Sequence, residues 1–123
     1  MGLTYLQLRI ANPADPRKSA ELKFLVDSGV AYSVVPAAVL RRLGIKPRTK
    51  RKFILADGSS VERKMAHALF RLDGHQGASP VIFGEQHDST LFGVVSLGSL
   101  GMILDPFKRE LRPMPMLLGG KST

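Results

Sequence analysis

The sequence predicts an all-β fold with one or two short helices. Three observations lead there. Apolar residues fall in short runs, several of them alternating with polar ones at a period of two. Turn signals built from Pro, Gly, Asn and Asp break these runs every few residues. Only two short segments read as helix. Many short strands separated by turns make a barrel or a sandwich. A chain of 123 residues is one domain with one modest core, a size at which stability is often gained by oligomerising.

The elements follow in order. Leu6, Leu8 and Ile10 alternate with Gln7 and Arg9, the pattern of a half-buried strand within Leu3 to Ile10. Asn12-Pro13-Ala14-Asp15-Pro16 is a dense turn signal. Leu22 to Val26 is a strand that turns fully apolar as it approaches Asp27, and Val34-Val35 is a β-branched run halted by Pro36. Pro36 suits the first position of a helix that Gly44 stops. Phe53 to Ala56 and Val61 to Leu72 flank Asp57-Gly58-Ser59-Ser60, and Asp-Gly between strand-like arms is a hairpin signal. After a turn at Asp73 to Gly77, Pro80 to Phe83 is a further strand, and Glu85 to Thr90 a polar loop. Leu91 to Leu100 reads as a strand end and a short helix, and Met102 to Leu104 and Glu110 to Arg112 as two last strands. From these the domain is expected over 1–113, with 114–123 as a flexible tail.

A faint repeat accompanies this order. Asp27-Ser28-Gly29-Val30 precedes a helix ending in Leu43-Gly44-Ile45; Leu91-Phe92-Gly93-Val94 precedes one ending in Leu100-Gly101-Met102.

Composition excludes several functions. Hydrophobic residues at 44% and charged residues at 23% describe a globular chain, so disorder is a poor reading. Without cysteine there is no disulfide scaffold, thiol nucleophile or cysteine-ligated metal. No apolar run approaches the ~20 residues that span a bilayer, so no membrane partner is expected within the chain. The N-terminus lacks the basic lead-in and apolar stretch of a secretory leader, and with zero cysteines this favours a cytoplasmic location. Gly120-Lys121-Ser122-Thr123 mimics the end of a phosphate-binding loop, but Pro115 stands where its leading Gly belongs. His67, His75 and His87 are too scattered to ligate a metal, and no cofactor is called for.

The charge is local. Lys plus Arg is 18 and Asp plus Glu 10, but seven of the cations lie between Arg41 and Lys52: Arg41, Arg42, Lys46, Arg48, Lys50, Arg51 and Lys52. No acidic residue lies among them, and the rest of the chain carries 11 cations against 10 anions. Such a patch suits nucleic acid or an acidic protein, or is a solvated face. No aromatic residue interleaves with it before Phe53, so a base-stacking surface is not evident and nucleic acid is not the expected partner.

Asp27 is the residue most suited to chemistry. A carboxylate leaving the apolar strand Phe24-Leu25-Val26 into the turn Ser28-Gly29 is partly desolvated and placed for acid–base work. Gly29 permits close backbone approach and Ser28 can bond across the site. Asp-[Ser/Thr]-Gly alone arises by chance in roughly one chain in twenty of this length. Its neighbours carry the rest: Ser33-Val34-Val35-Pro36, the Asp57-Gly58 hairpin and Leu91-Phe92-Gly93 before a helix follow in one order.

That order resembles the retropepsin-like aspartic proteases, the single-domain retroviral type, and in particular their bacterial branch. The resemblance spans roughly Leu3 to Pro113 and implies a closed, acid-protease-like β-barrel. It implies Asp27 as the catalytic residue, Ser28 and Gly29 as the active-site turn, and the hairpin at Ala56, Asp57, Gly58 and Ser59 as a flap over the substrate. Val30 and Phe92 are the expected apolar pocket residues. Val30 stands where a smaller residue is common and narrows the cleft. Ala31 and Val94 stand where the retroviral branch carries an Asp and an Arg, which points to a different branch. Hydrolysis in this family needs two carboxylates, and this chain has one Asp-Ser-Gly, so the resemblance implies a homodimer cleaving a polypeptide substrate. The alternatives are a non-catalytic module of the same fold that binds a peptide or protein, and a nucleic-acid-binding β-domain.

Overall fold

The computed structural model describes residues 3–115 and 117–119. Within them lie β1 (Thr4–Asn12), β2 (Asp15–Val26), β3 (Ser33–Pro36), α1 (Ala37–Arg42), β4 (Thr49–Ile54), β5 (Ser60–Leu72) and β6 (His75–Gly84), followed by β7 (Leu91–Phe92), α2 (Val94–Ser99), β8 (Met102–Asp105) and β9 (Glu110–Pro113). Met116 and the Gly120-to-Thr123 segment of the expected tail lie outside the described residues.

Seven strands form one sheet in the order β1-β2-β7-β3-β6-β5-β4, and a further pairing of β1 with β5 closes it into a ring. The all-β fold is thus as expected, with two six-residue helices. β5 makes the closure possible by its length. Its first half pairs with β4 through Ser60 to Met65, and its second half pairs with β1 through Leu69 to Arg71 on the way to the next turn. β4 therefore stands outside the ring, as the outer arm of the β4–β5 hairpin. β8 and β9 form a separate two-stranded ladder, which Met114 extends by donating its N–H to Gly101 O at 2.8 Å.

Several strands run longer than the sequence signals suggest. The turn between β1 and β2 shrinks to Pro13-Ala14, and β2 begins at Asp15. β6 begins at His75, directly after Asp73-Gly74. In both places tertiary pairing converts polar residues beside a turn into strand, because the partner's ladder offers their backbone groups bonds. Pro36 ends β3 and caps α1, one position before the first helical residue.

The core fills the ring. Phe24 on β2, Phe70 on β5 and Phe92 on β7 are fully buried and meet edge to face, with ring centroids 5.1–5.9 Å apart. Leu8, Ile10, Val35, Leu40 and Val81 pack around them. The repeat seen in the sequence has a structural counterpart at the helix ends. Gly44 after α1 and Gly101 after α2 both take positive φ, +79° and +69°, and each delivers the next residue, Ile45 or Met102, into the core.

Candidate active site

Asp27 follows the last residue of β2 and is anchored by backbone. Its N–H donates to Phe92 O at 3.1 Å, and two residues earlier the Leu25 N–H donates to Thr90 O at 3.0 Å. The end of β2 is thereby clamped to β7 in a parallel pairing. Asp27 Oδ1 accepts the Gly29 N–H at 2.8 Å, so the carboxylate folds back over its own turn and is half-buried. The segment after the turn is held to the start of α2: Val94 N–H donates to Val30 O at 2.9 Å and Val95 N–H to Ala31 O at 3.0 Å. A Cβ on Gly93 would lie 2.6 Å from Ala31 O, so only glycine allows these two segments to come this close.

Behind the loop is a buried hydroxyl chain that the sequence reading missed. Ser33 Oγ accepts the Gly93 N–H at 3.0 Å and bonds Ser96 Oγ at 2.6 Å; Ser96 Oγ bonds Ser79 Oγ at 2.7 Å. All three serines are buried, and among the described residues no buried side-chain polar atom lacks a partner. The chain ties β3, α2 and β6 together beneath the Asp27 loop. The signal in the sequence was a hydroxyl at the head of an apolar β-branched run, Ser33-Val34-Val35, which can be buried only if it finds partners elsewhere in the chain.

A cleft of about 520 Å³ opens beside this loop. Val30, Tyr32 and Val34 form one wall, Phe53, Leu55 and Val61 of the β4–β5 hairpin form the roof, and Ile82 and Leu91 close the far side. One end is polar. Arg63 on β5 donates to Asp88 through Nε at 2.8 Å and through a terminal nitrogen at 3.1 Å, and Glu85 lies 3.7 Å away. The hydrogen bonds from Arg63 hold the Asp88 carboxyl below the usual carboxylate range, and Asp88 raises the Arg63 guanidinium in turn. Asp27 and Ser28 face a second hollow, of about 320 Å³, with Leu3, Leu104 and Pro106.

The expected site residues separate into three groups. Asp27, Ser28, Gly29 and Val30 share one anchored loop, and Val30 lines the cleft. Ala56, Asp57, Gly58 and Ser59 form the exposed hairpin tip, where Asp57 Oδ1 accepts both the N–H and the hydroxyl of Ser59, which hold its carboxyl below the usual range. None of the four lines the cleft; the inward-facing Phe53, Leu55 and Val61 do. The expectation for Phe92 is corrected. Its side chain is wholly inside the aromatic core, and its neighbour Leu91 faces the cleft instead, because adjacent strand residues point to opposite faces.

The family model described as aspartyl protease matches residues 11–103 of the chain. The chain is similar to the solution structure of Simian Foamy Virus (mac) protease, with a TM-score of 0.52 and 18% identity over 76% of this chain and 92% of that one. It is also similar to a retropepsin-like aspartic protease from Rickettsia conorii, with a TM-score of 0.48 and 22% identity over 85% of each chain. No curated protein matches it.

Proposed function

The chain belongs to the aspartyl protease family and has the retropepsin-like fold, and from that premise we propose that it is an endopeptidase whose active form is a homodimer. The anchored Asp27 carries this reading: a carboxylate fixed by backbone bonds at the end of an apolar strand, next to an apolar cleft roofed by a hairpin. Two such carboxylates, one from each copy, meet at a two-fold axis. Both cannot ionise at contact distance without strong repulsion, so the pair holds a single proton.

The ionised Asp27 takes a proton from a water while the water oxygen bonds to the scissile carbonyl carbon. Asp27 of the other copy gives its proton to the carbonyl oxygen, producing a neutral gem-diol. That second carboxylate then recovers a proton from one hydroxyl as the carbon–nitrogen bond breaks, and the first passes its proton to the leaving amine. The pair ends with one proton, as it began. The substrate lies extended, adding strand-like hydrogen bonds, and the hairpin closes over it to exclude water. Ser28 braces the two turns across the axis. Apolar side chains exposed near the loop, Leu3 at 62% and Val94 at 46%, support a second copy covering this face.

The test is incubation of wild type and Asp27→Asn with a peptide library from about pH 4 to 7, where a coupled carboxyl pair keeps one proton. Cleavage by wild type and none by a folded Asp27→Asn is the expected result. Equal cleavage by both removes the enzymatic reading, and retained peptide binding with no cleavage by either favours a binding module of the same fold.

A further inference from the structure

Of the seven cations between Arg41 and Lys52, Arg41 and Arg42 sit in the last turn of α1, where the helix dipole favours positive charge. Of the other five, Arg51 covers the Tyr32 ring and Lys52 stands opposite Glu62 on β5, while Lys46, Arg48 and Lys50 have no such account. None of them forms an ion pair among the described residues. Lys50 stands directly opposite Lys64 on β5, a like-charge pair that costs stability.

Two adjoining hollows, of about 470 and 410 Å³, are lined by three of these residues, Lys46, Arg48 and Arg51, and share Arg48, Ala66 and His67 as a common wall. Arg51 lines the first and Lys46 the second, and Lys18 reaches Gly44 on the second's wall. Among the described residues, neither hollow is lined by an Asp or Glu. The first also shares Tyr32 with the cleft beside Asp27, so groove and cleft form one path along the surface.

We propose that this groove binds an acidic, extended segment of polypeptide, continuous with a chain lying in the cleft. The claim that this segment belongs to a substrate rests on the protease reading; binding of the segment itself does not. Charge selects the acid. The sheet selects a polypeptide: among the described residues β4 pairs only with β5, leaving its other edge open, and the edge of β5 that carries β4 and β1 is unpaired over residues 66–68, whose opposite edge pairs with β6. Open strand edges offer main-chain bonds to a peptide in extended form. Nucleic acid is the poorer occupant, because the aromatic ring at the groove, Tyr32, is already covered by the Arg51 guanidinium 5.2 Å from its centroid, which also donates to its hydroxyl at 2.7 Å. The ring face that Arg51 covers is closed to a stacking base.

The test measures binding to the intact chain of a capped peptide of alternating Glu and Thr, about twelve residues and roughly 40 Å long when extended. Its Gln-for-Glu counterpart and a single-stranded oligonucleotide of equal charge are the competitors. The Glu peptide is expected to bind about tenfold more tightly than the Gln peptide and to weaken with salt. Lys46→Gln/Arg48→Gln/Arg51→Gln should weaken it about tenfold, whereas Lys108→Gln/Arg109→Gln, in the turn between β8 and β9, should not. Equal affinity for both peptides, an unchanged affinity in the triple variant, or tighter binding of the oligonucleotide overturns the proposal. The wild-type peptide series decides even where the triple variant fails to fold. Binding by a protein that cleaves nothing leaves this inference standing and removes the protease reading; cleavage without preference for the Glu peptide does the reverse.

Discussion

Ser33 Oγ and Ser96 Oγ lie 2.6 Å apart in the interior, 63 residues apart in the chain. The bond joins the strand that follows the Asp27 loop to the helix that follows Gly93, and Ser33 also receives the Gly93 N–H. Two segments distant in sequence are thus held in one arrangement behind the proposed catalytic carboxylate.

Removing the middle of this chain strands its neighbours. Ser96→Ala leaves the hydroxyls of Ser33 and Ser79 each short of a partner in a dry interior, and should cost about 1–3 kcal/mol. Denaturant unfolding measures this. Ser33→Ala should couple to Ser96→Ala, so that the double variant loses less than the two single losses added; strict additivity would show that the hydroxyls act independently.

Gly93→Ala places a methyl 2.6 Å from Ala31 O, where neither backbone can yield without moving the Asp27 loop. A loss of about 1–3 kcal/mol is expected, with peptide cleavage falling further than the stability loss explains. An unchanged midpoint of thermal unfolding would mean that the two segments are not packed this closely.

Phe92→Ala and Phe53→Ala should behave oppositely. Phe92 is fully buried among Phe24 and Phe70, so its truncation should cost about 3–5 kcal/mol in unfolding experiments. Phe53 is half-buried on the cleft roof, so its loss should change peptide preference with a smaller effect on stability. A change of preference in Phe92→Ala without a stability cost would contradict this assignment.

The Arg63–Asp88 pair should make the cleft's polar end sensitive to acid. The folded state holds the Asp88 carboxyl below its ordinary value of about 3.9, chiefly through the Arg63 hydrogen bonds. Its contribution is therefore complete above that value and fades as pH falls through the lower, folded one. Arg63 stays charged throughout, since its own shift is upward. With side chains 17% and 27% exposed, the pair is screened in part, and Asp88→Asn should cost about 1 kcal/mol near neutrality. Unfolding curves of the two proteins should converge below about pH 3.9; a gap that persists in strong acid would assign the loss to packing.

For the proposed pair of carboxylates, Asp27→Asn should lower cleavage by about 10²–10⁴-fold with the fold intact. Activity per chain should rise with concentration until the dimer dominates, and sedimentation should show two copies where activity is full. Activity strictly proportional to protein in a sedimenting monomer would sink the shared-proton mechanism.

Read alone, the sequence settled what short-range physics controls. Turn chemistry located the Asp57-Gly58 hairpin tip, glycine after a helix located the ends of α1 and α2, and the apolar run into Asp27-Ser28-Gly29 located the turn that follows β2. What depends on a partner strand was not legible. The basic run Thr49–Ile54 is a strand, yet all but Phe53 of it is exposed, so no alternation of apolar and polar residues betrays it. β7 has two residues, too few to carry a period, and only its pairing with Leu25-Val26 decides that Leu91 faces the cleft and Phe92 the core. The buried serines, the closure of β1 onto β5 and the path from cleft to basic groove likewise arise from contacts between residues far apart in the chain. Periodicity reports burial of one face; it does not report which distant element does the burying, and that choice belongs to the tertiary structure.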